Sequence, residues 1–347
     1  MNIRVDAAEA RGLASALLVQ FGAPSHHAQL QADLLVEAQL RGHPSHGLLR
    51  LPRLLERMEK GLINPAALGH HTWQSASMLI VDGQQGFGPV VAMNALAELV
   101  GRAKQTGISI AGIRNANHLG MLAYYVEKAA SEGMIVLAFS TSEALVHPFG
   151  GKQAMLGTNP LAIGIPAGPS PFVLDMATGT VSMGKIHDHA LRGEPIPIGW
   201  ALDRDGNPTT DATMAKAGSL APFGAAKGYG IGLAIELLVA SLAGSALAPD
   251  VRGTLDADHF ANKGDLFIVI NPPAQPHLSQ TLATYLADLR LSPPQQPTHP
   301  VTIPGDGGQR RRTASLQHGL EIDADLWASL SGALAAPSPI ATQDVYS

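Results

Sequence analysis

Apolar residues recur every three to four positions over roughly the first sixty residues, and in short β-rich runs after that. Ala10, Leu13, Ala14, Leu17 and Phe21 make one stripe, which predicts a helix from Asp6 to Phe21. Asp6 suits its N-cap, Glu9 sits three residues on, and Gly22 and Pro24 stop it. A second helix is expected from Ser25 to about Leu40, and a third from about Leu48 to Lys60, ended by Gly61. The β-rich runs are Met78–Val81, Ile108–Ile113, Ile135–Ser140, Leu161–Ile165, Phe172–Met176 and Leu266–Ile270. Helical patterns separate some of them: Pro89–Gln105, Leu122–Glu132 and Gly230–Leu242. A helix from Ser279 to Leu289, a Pro-rich link from Ser292 to Pro304 and a polar helix start at Asp306–Thr313 follow, and the tail after Ala335 reads as frayed. The pattern predicts an α/β or α+β body beside a helical domain. The division expected is a helical unit over 1–75, joined by C-terminal helices from about 245 to 340, with an α/β unit over 76–244.

Composition narrows the class. At 347 residues, with 46% hydrophobic and 15% charged, the chain has an ample core and room for two domains. A net charge of -5 argues against nucleic acid or an anionic membrane surface as partner, since both call for a basic face. With no cysteine, disulfides and thiolate metal sites are excluded, and a reducing cytoplasm is the compartment expected. The start, Met1 to Asp6, lacks a basic-then-apolar leader, and no apolar run approaches the ~20 residues of a membrane span.

The segment Arg41 to Arg50 concentrates chemistry. Ser45, His46 and Arg50 bring a hydroxyl, an imidazole and a guanidinium within six residues. If a helix resumes after Gly47, His46 and Arg50 fall four apart on one face. An imidazole exchanges protons near neutral pH, and a guanidinium grips a carboxylate with two parallel hydrogen bonds. The pair suits a small carboxylic acid whose neighbouring oxygen gains or loses a proton; the plain alternative is a polar surface turn. His118 follows the run Ile108–Ile113, where α/β proteins place ligands. It is a second acid/base candidate, or else a structural histidine capping the next helix.

Lys227 to Gly232 reads K-G-Y-G-I-G. A loop rather than a strand precedes it, and the spacing is G-x-G-x-G, so the Rossmann fingerprint fails. What survives is either a phosphate site at a helix start or close packing through small residues. The 14 histidines raise the question of metal. The pairs His43/His46, His187/His189, His26/His27 and His70/His71 do not have the spacing of a hydrolytic zinc site, so no metal is expected.

The ordered blocks R-G-H-P-S-H-G-L-L-R-L-P-R (41–53), G-L-I-N-P (61–65), V-D-G-Q-Q-G-F-G (81–88), N-A-N-H-L-G (115–120), P-F-G-G-K (148–152), G-T-N-P-L-A (157–162), L-D-M-A-T (174–178), G-E-P-I-P (193–197), G-W-A-L-D-R-D-G-N-P-T-T-D (199–211) and K-G-Y-G (227–230) span nearly the whole chain. Together they resemble the type-2 malate/L-lactate dehydrogenase family, which includes ureidoglycolate and sulfolactate dehydrogenases and diketogulonate reductase. The resemblance implies a non-Rossmann mixed sheet that binds NAD or NADP, a helical domain, and a homodimer. It implies hydride transfer between nicotinamide and C2 of a small 2-hydroxy or 2-oxo acid. His46, with Ser45 beside it, and His118 become the proton-handling candidates, and Arg50 the carboxylate clamp. Ser142, the trio Asp175, Met176 and Ala177, the pair Lys227 and Gly228, and further on His277 and Gly305 match cofactor contacts. Pro44, Leu119 and Glu143 depart from the family's usual residues. Ureidoglycolate ranks first among substrates on the blocks 255–259 and 269–272, followed by malate, lactate and sulfolactate. Reduction of a cyclic imine carboxylate, or a cofactor-binding regulator without catalysis, are the alternatives.

Overall fold

The computed structural model describes residues 2–275 and 277–337. β1 (Asn2–Val5) precedes α1 (Ala7–Gln20), α2 (Ser25–Leu40) and α3 (Leu51–Glu59). Next come β2 (His70–Trp73), β3 (Met78–Asp82), α4 (Gly88–Thr106), β4 (Ile108–Arg114), α5 (Ala123–Ser131), β5 (Ile135–Ser140), β6 (Leu161–Ile165) and β7 (Phe172–Met176). An excursion holds α6 (Met183–Arg192), β8 (Ala201–Leu202), α7 (Ala212–Lys216) and β9 (Ser219–Leu220), and leads to α8 (Ala226–Ala243) and β10 (Gly264–Ile270). α9 (Leu278–Leu291), α10 (Asp306–His318), β11 (Leu320–Asp323) and α11 (Ala324–Ala335) complete the described chain.

The first helix starts where capping chemistry places it. The Asp6 carboxylate accepts the Ala8 and Glu9 N–H groups at 2.7 and 3.3 Å, and α1 then buries Ala10, Ala14, Leu17 and Leu18. These pack with α2, α3 and α11 in one cluster, closed at its edge by the antiparallel pair β1–β11. The main sheet has seven strands in the order β2-β3-β4-β10-β5-β6-β7. β3 and β4 are parallel, joined through α4, and every other neighbouring pair is antiparallel. Side chains alternate as the pleat demands: Val136, Ala138 and Ser140 are buried, while Ile135, Leu137 and Phe139 stay partly open. One face packs on α4 and α5, and the other is crossed by α8 through Ile235, Val239 and Ala243 against Leu266. α8 is long and apolar enough to cross a membrane by length and composition; here it lies on the sheet, with Ile231, Leu237 and Leu238 outward.

Several details differ from the sequence reading. The third helix begins at Leu51, after two separate 3-10 turns, because Gly47 breaks the chain with φ −94° and ψ −145°. α8 begins four residues before Gly230, so Lys227 and Gly228 lie in its first turn. The expected helical unit from about 245 to 340 is interrupted by β10, which enters the centre of the sheet. Its apolar residues are buried on both faces almost throughout, the mark of a central strand. The excursion around α6 and α7 has a small core of its own, including Val146, Ile186, Ile196 and Leu220. The reading of the tail falls, from residue 338 on, outside the described residues.

Candidate active site

The turn after α2 carries the first group of site residues. Pro44–His46 and Leu48–Arg50 form the two 3-10 turns around Gly47. Gly47 has no room for a side chain: a Cβ there would stand 2.6 Å from Gln39 Oε1 and 3.2 Å from the Leu35 carbonyl. His46 and Arg50 therefore do not share the face of one α-helix, as expected above. Arg50 instead folds back, its Nε donating to the Ser45 carbonyl at 2.9 Å and its Nη1 to the Thr254 carbonyl at 2.8 Å. No carboxylate forms a salt bridge with this guanidinium among the described residues.

The second group comes from the end of β4. Asn115, at φ 54°, turns the chain, and the Asn117 side chain donates to the Gln85 and Gly86 carbonyls at 2.7 and 3.0 Å. His118 follows, and its Nδ1 accepts the Gly120 N–H at 3.1 Å. That bond fixes the neutral ring as the Nε2–H tautomer, a donor at its free nitrogen. The His118 ring stacks on His46, with centroids 5.2 Å apart and planes 7° from parallel. His46 Nδ1 is buried without a hydrogen-bond partner. Burial, then the nearby Arg50 cation, lowers the His46 pKa to about 4, and the same two causes hold His118 well below its ordinary value. Both rings are thus neutral at pH 7. Two neutral imidazoles and a guanidinium bonded to no carboxylate among the described residues meet at one place.

One wall of this place escaped the sequence reading. Arg50, Arg53 and Arg57 recur at helical spacing and line one cavity with Asn117, His118 and Thr254. Buried Arg57 donates to Asn117 Oδ1 at 3.0 Å and to the Asp256 and His259 carbonyls at 2.9 and 3.0 Å. It ties the His118 turn to the loop after α8. The signal was legible: Arg57 stands seven residues beyond Arg50, and Asn117 and Gln85 lie within the quoted blocks.

The residues matched to cofactor contacts gather mostly at one end of the sheet. Ser142 Oγ accepts the Thr158 N–H at 3.1 Å, and the Thr158 carbonyl accepts both the N–H and the hydroxyl of Thr178. This chain of bonds links the end of β5 to the end of β7, where Asp175, Met176 and Ala177 sit. Gly232, in the second turn of α8, packs on Thr178, where a Cβ would lie 3.0 Å from its hydroxyl. Gly228 packs equally closely, while Lys227 is exposed at the helix start. The two readings of this run thus fall on different residues. Asp175 accepts the Ala123 N–H at 2.7 Å, keeps part of its surface exposed, and has its pKa raised to about 6 by the burial of its carboxyl. Gly305, at φ 91°, backs onto the Val173 carbonyl. His277 stands apart from this group. It caps α9, which meets the turn at the opposite end of β6 and β7 through Ser279 and Gly168. The donor set fits a dinucleotide: a hydroxyl, an exposed lysine at a helix N-terminus, and main chain left bare by glycine, with Gly157 so near Ser142 Oγ (2.8 Å from a Cβ) that no side chain fits.

Two imidazoles and an arginine-lined cavity, with a glycine-rich, non-Rossmann strand end, suit a nicotinamide-dependent dehydrogenase. The comparisons agree: residues 5–331 match the family model described as malate/L-lactate dehydrogenase, and the chain belongs to that family. It is 37% identical over 317 residues to the L-sulfolactate dehydrogenase of Methanocaldococcus jannaschii, covering 90% of this chain and 91% of that protein. It is 33% identical over 334 residues to the delta(1)-pyrroline-2-carboxylate reductase of Ancylobacter novellus, covering 94% and 96%. The crystal structure of a dehydrogenase from Sinorhizobium meliloti superposes with a TM-score of 0.93 at 59% identity, over 96% of this chain and 98% of that one.

Proposed function

We propose that the protein transfers hydride between a nicotinamide dinucleotide and C2 of a small 2-hydroxy or 2-oxo acid that carries a second anionic group, as malate and 3-sulfolactate do. One observation carries this reading. Arg50, held only by two main-chain carbonyls, stands beside two neutral stacked imidazoles, in a cavity that Arg53 and Arg57 also line. A cation partly withdrawn from water and bonded to no carboxylate is costly, and a substrate anion reduces that cost. Arg50 takes the carboxylate next to the reacting carbon, and Arg53, at the more open rim, suits the second anion.

A bound nicotinamide supplies the hydride acceptor or donor at its C4. Towards the oxo acid, His46 takes the hydroxyl proton at the ring nitrogen facing substrate; towards the hydroxy acid it returns that proton to the carbonyl oxygen. His118 cannot do the same without losing its Gly120 bond, so it donates from Nε2 to the substrate oxygen and holds it in place. Ser45 adjoins His46 in the chain, and its carbonyl holds Arg50. Arg50 fixes the carboxylate so that C2 faces the cofactor. Ser142, Asp175, Met176, Ala177, Lys227, Gly228 and Gly305 belong to the dinucleotide side, and His277 belongs to it only if a neighbouring subunit presents it.

The reading extends to a homodimer working in the cytoplasm. Its support is the sheet face crossed by α8 alone, the outward Ile231, Leu237 and Leu238, and α9, which buries no residue within the chain. Light scattering that returned the monomer mass at micromolar concentration would remove this part. The main test follows absorbance at 340 nm with NAD and with NADP, against malate, 3-sulfolactate, lactate and ureidoglycolate. Turnover of lactate above both dianions removes the second-anion assignment. The pyrroline-2-carboxylate reductase among the relatives favours a second reading, in which the proton goes to a ring nitrogen. Reduction of pyrroline-2-carboxylate with no hydroxy acid oxidised selects it. Dinucleotide binding with no turnover of any of these leaves a non-catalytic regulator.

A further inference from the structure

Glu143 departs from the family's usual residues. The structure gives it work of its own. Its carboxylate accepts the Thr254 and Leu255 N–H groups at 2.8 and 2.9 Å and, at a closer distance, the Thr254 hydroxyl. The Thr254 carbonyl in turn accepts Arg50 Nη1 at 2.8 Å. One buried residue, 6% exposed, is thus gripped by Glu143 on its N–H side and by Arg50 on its carbonyl side. The loop that follows is closed on itself and tied down. Gly253, at φ 80°, abuts Phe260 and Ala261; Gln85 exchanges two hydrogen bonds with the main chain of Ala261; Arg57 holds the Asp256 and His259 carbonyls.

We infer that Glu143 is a positioning residue for the acid clamp: by anchoring Thr254 it sets where the Arg50 guanidinium stands. The inference rests on the reading of Arg50 as the carboxylate grip. Without Glu143, the N–H and hydroxyl of buried Thr254 lose their acceptor, and the loop must shift to find another, whereas the N–H of exposed Leu255 can turn to water. Because the peptide units around Thr254 are rigid planes, that shift carries its carbonyl, and Arg50 with it. Arg57 and Gln85 hold the far end of the loop, so the disturbance stays at the Arg50 end and leaves the His118 turn in place. The carboxylate also faces both Arg50 and Arg57 without pairing with either, which keeps the clamp from being a bare pair of cations.

The test is steady-state reduction of oxaloacetate by the full-length protein, with Glu143→Ala, Glu143→Gln and Arg50→Lys in parallel. Glu143→Ala is expected to raise KM for oxaloacetate about tenfold or more, with kcat within about threefold and KM for the dinucleotide unchanged. Glu143→Gln keeps an oxygen that accepts the two N–H groups, and is expected to restore most of the loss. An unchanged oxaloacetate KM in Glu143→Ala overturns the inference. So does a parallel fall in kcat, dinucleotide affinity and Tm, which marks a general structural role. So does a glutamine variant no better than alanine. If Arg50→Lys raises KM and Glu143→Ala does not, the inference alone fails; if neither raises it, the reading of Arg50 fails with it.

Discussion

The two sides of the cleft are built from different materials. On the acid side, long side chains do the work, and residues far apart in the chain hold each of them. Arg50 reaches Thr254, Arg57 reaches Asn117 and the loop at Asp256–His259, and His118 leans on His46. On the dinucleotide side the main chain does most of it, through the Ser142–Thr158–Thr178 bonds and glycines packed too tightly for a Cβ. The difference teaches that the two functions are separable by mutation. On the acid side a substitution removes a group that would touch the acid, or one that positions such a group, so it alters chemistry or acid binding. On the proposed assignment, a dinucleotide cradled by main chain would lose little when any one side chain goes.

The largest effect, and the sharpest test of that separation, is expected from His46→Ala. Removing the proton carrier should lower kcat by about 10²–10⁴-fold. Dinucleotide affinity, measured by calorimetry, should stay within about twofold. Wild-type turnover in this variant would transfer the proton to His118 and undo the argument from the Gly120 bond. His118→Ala should also lower kcat, but by less, because a donor that orients substrate is lost rather than the proton's destination.

Arg50→Lys comes next. The forked geometry is lost while the charge stays, so KM for the acid should rise about 10–100-fold with a smaller change in kcat. The comparison would break if dinucleotide affinity fell as steeply as acid affinity, since Arg50 would then belong to both sides. Lys227→Ala probes the opposite wall. One exposed cation at the first turn of α8 is worth roughly 0.3–1 kcal/mol to a phosphate, so dinucleotide KM should rise several-fold at most, less so at high salt, and acid KM should not move. A hundredfold loss would mean that the dinucleotide side also depends on single side chains.

The contrast also explains which parts were legible in the sequence. His46, Arg50 and His118 carry rare chemistry in short blocks, so their residue types alone announced them. Their arrangement was not legible. Helical spacing put His46 and Arg50 on one face, but Gly47 is pressed against Gln39 and Leu35, which helix 44–50 as a continuous α-helix does not allow. What brings the two together is a hydrogen bond to the Ser45 carbonyl, and no periodicity encodes it. Arg57 stood at a legible spacing from Arg50, but what it and Glu143 hold, carbonyls and N–H groups more than a hundred residues away, only the folded chain reveals. For the fold, apolar periodicity located α1, α2 and the central strands, helped at α1 by the Asp6 cap. β1, β2 and β11 were missed because each has only four residues, too few for a period to register, and each finds its stability in pairing.

The smallest effect expected is on stability in acid, and it belongs to the acid side alone. In the unfolded chain a histidine titrates near 6.5; in the fold His46 takes its proton only near pH 4, and His118 lower than its ordinary value. Above pH 6.5 both states are neutral at these positions, and the native contribution is fully present. As pH falls from 6.5 towards 4, the unfolded chain takes up protons that the native protein refuses, so the native state loses stability through that window. The loss from His46 levels off once its folded pKa is passed. A His46→Gln variant cannot titrate there, so its Tm should fall less than that of the wild type between pH 7 and pH 4.5, by a few °C. A lysine or arginine exchange at 227 should leave the slope as it is. Equal slopes for wild type and His46→Gln would mean that the ring is hydrated enough to protonate normally, and the case for a neutral, proton-accepting His46 would lose its electrostatic basis. An oxalate-bound sample supplies the converse check: an anion on Arg50 offsets the cation that disfavours His46 protonation, so the wild-type slope over the same window should become shallower.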